Sequence, residues 1–150
     1  MIKFYTDGSC KGNGKKEAVG GWAFVILKDN EKIYEESGYE KNTTNNRMEM
    51  LAVITALEKF GCLESHAEIY TDSAYIHNCI DQKWYVNWQK NGWVTASRTP
   101  VKNKDLWMRL VPFFEDSRFT FYKVKGHATN QWNNLADKLA TTAAAEGVKA

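Results

Sequence analysis

Cysteine is scarce and scattered in this chain: Cys10, Cys62 and Cys79, with no Cys-x-x-Cys pair. That excludes a disulfide frame or a zinc ribbon and predicts reduced thiols in a cytoplasmic setting. No apolar stretch approaches the roughly 20 residues that span a bilayer. The N-terminus runs directly into a strand, with no basic segment followed by an apolar one, which argues against a secretory signal. Neither charge sign dominates: the net charge of +2 does not by itself select a nucleic-acid partner. Gly8, Gly12, Gly14, Gly20 and Gly21 fit neither a dinucleotide fingerprint nor a P-loop. There is no Gly-x-Ser-x-Gly elbow, and Ser73 has no plausible neighbouring base, so nucleophilic hydrolase chemistry is unsupported. Linkers and low-complexity tracts are absent too. What remains is 150 residues with 43% hydrophobic and 25% charged content, the profile of a single soluble domain spanning 1–150.

The pattern predicts strands over about 2–7, 18–28, 31–41, 66–71 and 119–125. Lys28-Asp29-Asn30-Glu31 is a hairpin turn between the second and third. Helices are predicted over 44–60, from Ser73, as two short pieces around Asn91-Gly92, over 103–116, and over 131–146, the last stopping before Gly147. Strands followed by alternating helices and strands imply an α/β fold, with a mixed five-stranded sheet and helices on both faces.

One phrase occurs twice. Tyr5-Thr6-Asp7 and Tyr70-Thr71-Asp72 each close a β-branched and aromatic run, and each is expected to break into a turn or helix start at the Asp. Two strands ending this way bring two carboxylates to the carboxyl edge of one sheet, where they repel unless a proton or cation intervenes. Glu49 adds a third acid. On a helical wheel Val53, Ala56 and Phe60 share its face, whereas Thr55, Glu58 and Lys59 lie elsewhere, and no Lys or Arg accompanies it. A carboxylate in an apolar stripe is costly unless it is protonated, paired or bound to a cation. The plainer readings are a first-turn Glu favoured by the helix dipole and an Asp72 that caps the next helix. Three acids without nearby His or Cys specify hard oxygen ligation, hence Mg²⁺ or Mn²⁺ and not zinc.

His127, in Lys125-Gly126-His127 after the fifth strand, would stand near the same sheet edge and could move protons. Asp137 lies away from the apolar stripe of the last helix, where any solvated acid sits, and periodicity does not single it out. Gln82 to Lys104 holds Lys83, Lys90, Arg98, Lys102 and Lys104 with no acid, interleaved with Trp84, Tyr85, Trp88 and Trp93. That combination suits a phosphate backbone with exposed sugar and base faces, although Trp84 and Trp88 are also spaced to pack a short helix on the core.

Thr6-Asp7-Gly8-Ser9-Cys10, Thr43-Thr44-Asn45-Asn46-Arg47-Met48-Glu49, Thr71-Asp72-Ser73, Val124-Lys125-Gly126-His127 and the later Asp137 resemble type 1 ribonuclease H, in order and over nearly the whole chain. Asn91-Gly92-Trp93, Pro100-Val101-Lys102-Asn103 and Asp105-Leu106-Trp107 resemble its bacterial members in particular. The resemblance implies strand order 3-2-1-4-5. It also implies an endonuclease that cuts the RNA strand of an RNA–DNA hybrid, leaving 5′-phosphate and 3′-hydroxyl ends. Asp7, Glu49, Asp72 and Asp137 would hold two Mg²⁺ ions, with Mn²⁺ able to substitute, and His127 would assist proton movement or product release.

Cys10, Asn13, Asn45, Asn46 and Glu49 stand where the family contacts the hybrid, and Thr44 where it holds a DNA phosphate. The 82–104 segment, with Trp84, Lys90, Trp93, Arg98 and Lys102, corresponds to the bacterial basic protrusion. The chain departs from the family at Ala74, where many members carry Gln, and in the proline-free loop 12–17. The protrusion is also less densely basic, which implies weaker hybrid affinity and a shallower salt slope. The expected state is a cytoplasmic monomer. Two other readings are a DNA-cutting nuclease of the same fold and a non-catalytic hybrid-binding module.

Overall fold

The computed structural model describes residues 1–12, 17–61, 66–124 and 130–150. Asn13, in the first loop, and Lys125, Gly126 and His127 lie outside the described residues. The chain forms β1 (Ile2–Lys11), β2 (Val19–Lys28), β3 (Glu31–Lys41), α1 (Asn45–Phe60), β4 (Ala67–Thr71), α2 (Ala74–Asp81), α3 (Trp84–Lys90), α4 (Lys104–Phe114), β5 (Phe119–Lys123) and α5 (Gln131–Lys149). The five strands form one sheet in the order β3-β2-β1-β4-β5. The β1–β2 and β2–β3 pairs are antiparallel, and the β1–β4 and β4–β5 pairs are parallel. Asp29 and Asn30 both take positive φ, 51° and 68°, as a two-residue hairpin between twisted strands requires.

Alternation along the strands sends side chains to two cores. Phe4, Phe24, Ile26 and Ile69 meet Met50, Val53, Ile54 and Leu57 of α1, together with Trp107 and Leu110 of α4. On the opposite face Tyr5, Val25 and Leu27 meet Ala136 of α5. Helices therefore cover both faces, as the element pattern implied.

Gly21 lets α5 settle directly on β2: a Cβ there would fall 2.0 Å from the Ala140 carbonyl oxygen and 2.6 Å from the Ala144 nitrogen. Three sequence expectations are corrected. Only one of the two short helices around Asn91-Gly92 forms, because Val94 and Pro100 pair as a β-bridge after the turn. α5 continues through Gly147, which is not a cap: a side chain there would collide with Tyr39 and Val19 at 2.7 Å. β1 does not end at Asp7 but runs four residues further, to Lys11, in register with β2. Among the described residues no helix is long and apolar enough to cross a membrane, and Cys10 and Cys79 are free thiols.

Candidate active site

β1 pairs with β2 along its whole length but with β4 only from Ile2 to Tyr5. Beyond Tyr5 the two parallel strands fork, tied at the base by the Thr6 hydroxyl donating to the Tyr70 carbonyl at 3.1 Å. Ligands of open α/β sheets bind in such crevices. Asp7 stands on one side, in mid-strand and 2% exposed. Asp72 stands on the other, just after β4. It does not cap α2: the Ser73 hydroxyl accepts from the Ile76 N–H at 3.1 Å and performs that task. The Thr71 hydroxyl accepts from the Ser73 N–H, fixing the turn that presents Asp72.

Glu49 arrives from α1. Thr44 caps that helix, its hydroxyl accepting from the Arg47 N–H at 3.2 Å. Gly8 admits the first turn onto β1: a Cβ at Gly8 would lie 2.3 Å from the Glu49 nitrogen and 2.5 Å from the Met48 carbonyl carbon. Glu49 is 5% exposed, with Val53 and Ala56 buried on the same stripe. One ligand oxygen from each of Asp7, Glu49 and Asp72 lies within 4.8 Å of the other two.

The electrostatics follow from this crowding. Burial, then the Asp72 charge and a hydrogen bond with Asp137, push the Asp7 carboxyl from its ordinary 3.8 up to about 8. Burial, then the charges of Asp7 and Asp72, hold the Glu49 carboxyl well above its ordinary 4.5. Glu49 Oε2 and Asp72 Oδ1 are buried with no hydrogen-bond partner. Unsatisfied, mutually repelling oxygens of this kind fit a hard divalent cation.

Asp137 is exposed on α5, as the wheel implied, yet its carboxyl reaches Asp7. Asn130 positions the start of that helix: its side-chain oxygen accepts from the Trp132 and Asn133 N–H groups, and its amide donates to the Tyr5 hydroxyl at 3.2 Å.

The expected substrate contacts divide by location. Cys10 is half-buried near the end of β1, its thiol 3.7 Å from the Thr43 carbonyl oxygen. Asn45 is exposed and Asn46 half-buried in the first turn of α1. The Thr44 cap uses only an acceptor lone pair, so its hydroxyl proton remains available. Lys90, Arg98 and Lys102 are exposed on the 82–104 segment. Trp84 and Trp93 are half-buried and pack against the core along with Trp88, whose ring lies tilted against Trp107 with centroids 5.6 Å apart. Sequence reasoning missed a hydrogen-bonded group beside the site, formed by Arg47, Tyr75, Asn103 and Asp105. Its members were signalled singly, Arg47 in the Asn-Asn-Arg-Met-Glu phrase and Asn103 and Asp105 in the Pro-Val-Lys-Asn and Asp-Leu-Trp phrases, but nothing in the pattern said that they meet.

A mixed sheet in this order, with buried acids at the β1/β4 fork, defines the class of ribonuclease H-like nucleases. The chain belongs to the ribonuclease H family, whose model (RNase H) matches residues 1–145. It is 50% identical over 147 residues to a ribonuclease H of Chlorobaculum parvum, covering 97% of this chain and 96% of that one. Among solved structures it is similar to LC9-RNase H1, described as a type 1 RNase H with the type 2 active-site motif. That match has a TM-score of 0.81 and 30% identity, covering 97% of this chain and 72% of the other. It is similar as well to a foamy viral protease–reverse transcriptase in complex with RNA/DNA hybrid, with a TM-score of 0.82 and 25% identity, covering 95% of this chain and 20% of the viral one. The protein is thus an enzyme, a nuclease and a hydrolase.

Proposed function

We propose that this enzyme hydrolyses the RNA strand of RNA–DNA hybrids, leaving 5′-phosphate and 3′-hydroxyl ends, with two Mg²⁺ ions as its cofactor. The observation that carries the reading is the pair of partnerless buried oxygens, on Glu49 and Asp72, gathered around Asp7. Asp7, Glu49 and Asp72 would hold the ions from inside the fork, and Asp137 would complete the set from its rim. Two such ions supply charge neutralisation for the incoming and departing oxygens of an in-line displacement at phosphorus.

The chain's own residues do the rest. Asp7 is fixed within the β1–β2 ladder and Glu49 against the Gly8 backbone, so neither must reorganise when substrate binds. Asn45, Asn46, Cys10 and Asn13 would meet the minor groove of the hybrid, where 2′-hydroxyls mark the RNA strand. Thr44 would donate its free hydroxyl proton to a phosphate of the DNA strand. Trp84, Lys90, Trp93, Arg98 and Lys102 would lie along that strand, and His127 would move a proton or assist release of product. The scattered free thiols support a reducing, cytoplasmic location, and a monomer suffices because one chain supplies the whole acidic set.

The test offers the purified protein labelled hybrid, duplex DNA and duplex RNA, each with Mg²⁺ and with chelator. Cutting of the hybrid alone, lost with chelator, is expected. Cutting of duplex DNA would instead assign a DNA nuclease, and hybrid binding without cutting would assign a non-catalytic module.

A further inference from the structure

We propose that Arg47 and Asp105 form a clasp that positions the 82–104 segment over the carboxylate fork, making both residues determinants of hybrid affinity without touching the reacting atoms. The Arg47 guanidinium donates two hydrogen bonds to the Asp105 carboxylate, at 2.8 and 3.0 Å, and a third to the Asn103 side-chain oxygen at 3.2 Å. The Asn103 amide donates to the Tyr75 hydroxyl at 3.2 Å, and the Trp107 indole donates to the same hydroxyl at 3.2 Å.

Each member sits at a junction. Arg47 is two residues before Glu49 on α1. Tyr75 is three residues after Asp72, in the first turn of α2. Asn103 is the next-to-last residue of the basic segment and the N-cap of α4, and Asp105 lies in the first turn of that helix. The clasp therefore joins the returning end of the segment to the two chain stretches that carry Glu49 and Asp72.

Asn103 marks this as more than helix capping. It occupies the N-cap position of α4, where Asn ordinarily bonds the helix's free N–H groups, yet its side chain makes no such bond. It also adopts φ +61°, an uncommon conformation for a side-chain-bearing residue. Both local preferences are given up, and the side chain bridges Arg47 and Tyr75 instead. A bidentate Arg–carboxylate pair fixes orientation as well as distance, which a Lys or a single hydrogen bond would not. Beyond the clasp the segment is held by the Val94–Pro100 bridge and by the Val101 N–H donating to the Trp93 carbonyl at 3.1 Å. Lys90, at the end of α3, and Arg98 and Lys102, on the turns that follow it, thus stand on a segment whose returning end is anchored beside the site. Loosening that anchor removes pre-organised binding, which raises KM and leaves kcat in place.

The inference rests on the proposed reading of the segment as a hybrid-binding element, and its test separates the two. Wild type, Asp105→Asn, Tyr75→Phe and the exchange Arg47→Asp with Asp105→Arg are compared on hybrid with Mg²⁺. Asp105→Asn and Tyr75→Phe are each expected to raise KM roughly 3- to 20-fold with kcat within about twofold. The exchange is expected to recover part of the loss. On a hybrid shortened until Lys90→Ala no longer changes KM, the clasp variants should match wild type, an outcome that general loosening of the fold would not give. Thermal melts and Mg²⁺ titrations without substrate should stay near wild type for Asp105→Asn, whose carboxylate is largely exposed, whereas Tyr75→Phe also takes the acceptor from the buried Trp107 indole and should lower the melt. Unchanged KM in both single variants, or a fall in kcat at constant KM, would overturn the clasp. An uncut hybrid with wild type would instead overturn the proposed function.

Discussion

Asp7 and Asp72 face each other across a gap between parallel strands that are still paired two residues earlier, at Tyr5 and Tyr70. The repeated Tyr-Thr-Asp phrase sets this up: in-register pairing of the two tyrosines, stacked with ring centroids 4.7 Å apart, delivers the two acids to the same height. Asp7→Asn removes the central charge and leaves the shape. Cleavage of hybrid should fall by about 10³-fold or more, because the carboxylate around which Glu49 and Asp72 gather is lost. Hybrid binding, read by fluorescence anisotropy in the absence of divalent ions, should stay within about threefold.

The metal-free protein should lose stability as pH rises from about 4 to 8. In the unfolded chain Asp7 releases its proton near 3.8, whereas the folded carboxyl keeps it up to about 8. Over that window the folded state binds more protons than the unfolded one, so each step upward favours unfolding. Glu49 shifts in the same direction. Below about 4 the sign reverses: the Arg118 guanidinium holds Asp116 down to about 2, and that contribution disappears as the group protonates. Urea melts in chelator should therefore peak near the acid end of the range, and saturating Mg²⁺ should flatten the fall above it. For the same reason Asp7→Asn should raise stability in chelator at pH 8.

Gly8→Ala should be severely destabilising, by roughly 3 kcal/mol or more, because the added carbon meets α1 backbone that cannot step aside. Where the variant still folds, α1 must retreat from β1 and take Glu49 with it. Mg²⁺ affinity by calorimetry should then drop along with the denaturation midpoint. A surface exchange such as Lys59→Ala should move neither by a comparable amount.

Hybrid binding should weaken with salt, but along a shallow line. The 82–104 segment offers five cations over its length, and Lys90→Ala or Lys102→Ala should each take about one unit off the slope of log K against log salt. A slope unaffected by either change would place the DNA strand elsewhere.

The site was readable in the sequence to the extent that each acid conflicted with its local surroundings. Glu49 interrupts an apolar stripe, and the structure buries it there. Asp7 and Asp72 announce themselves by repetition, although Asp7 was expected at a strand end. Its strand continues because Gly8 to Lys11 still find partners across β2, which local pattern cannot reveal. Asp137 gave no conflict at all: it is exposed, as periodicity implies, and only the fold brings its helix to Asp7. Gly147 misled for a related reason. A glycine near a helix end reads as a stop, and here it makes room for Tyr39 and Val19. Arg47 and Asp105 are 58 residues apart and ordinary in composition, so their pairing left no trace in the pattern.

The acids of the fork come from the first strand, the first long helix and the turn after the fourth strand, and the rim acid from the last helix. No contiguous peptide contains them, and none can trap an ion in their manner before the sheet has closed. On the proposed reading, divalent-ion uptake would serve as a gauge of completed assembly: chain fragments should ignore the ion, and its release on heating should coincide with the melting of the domain.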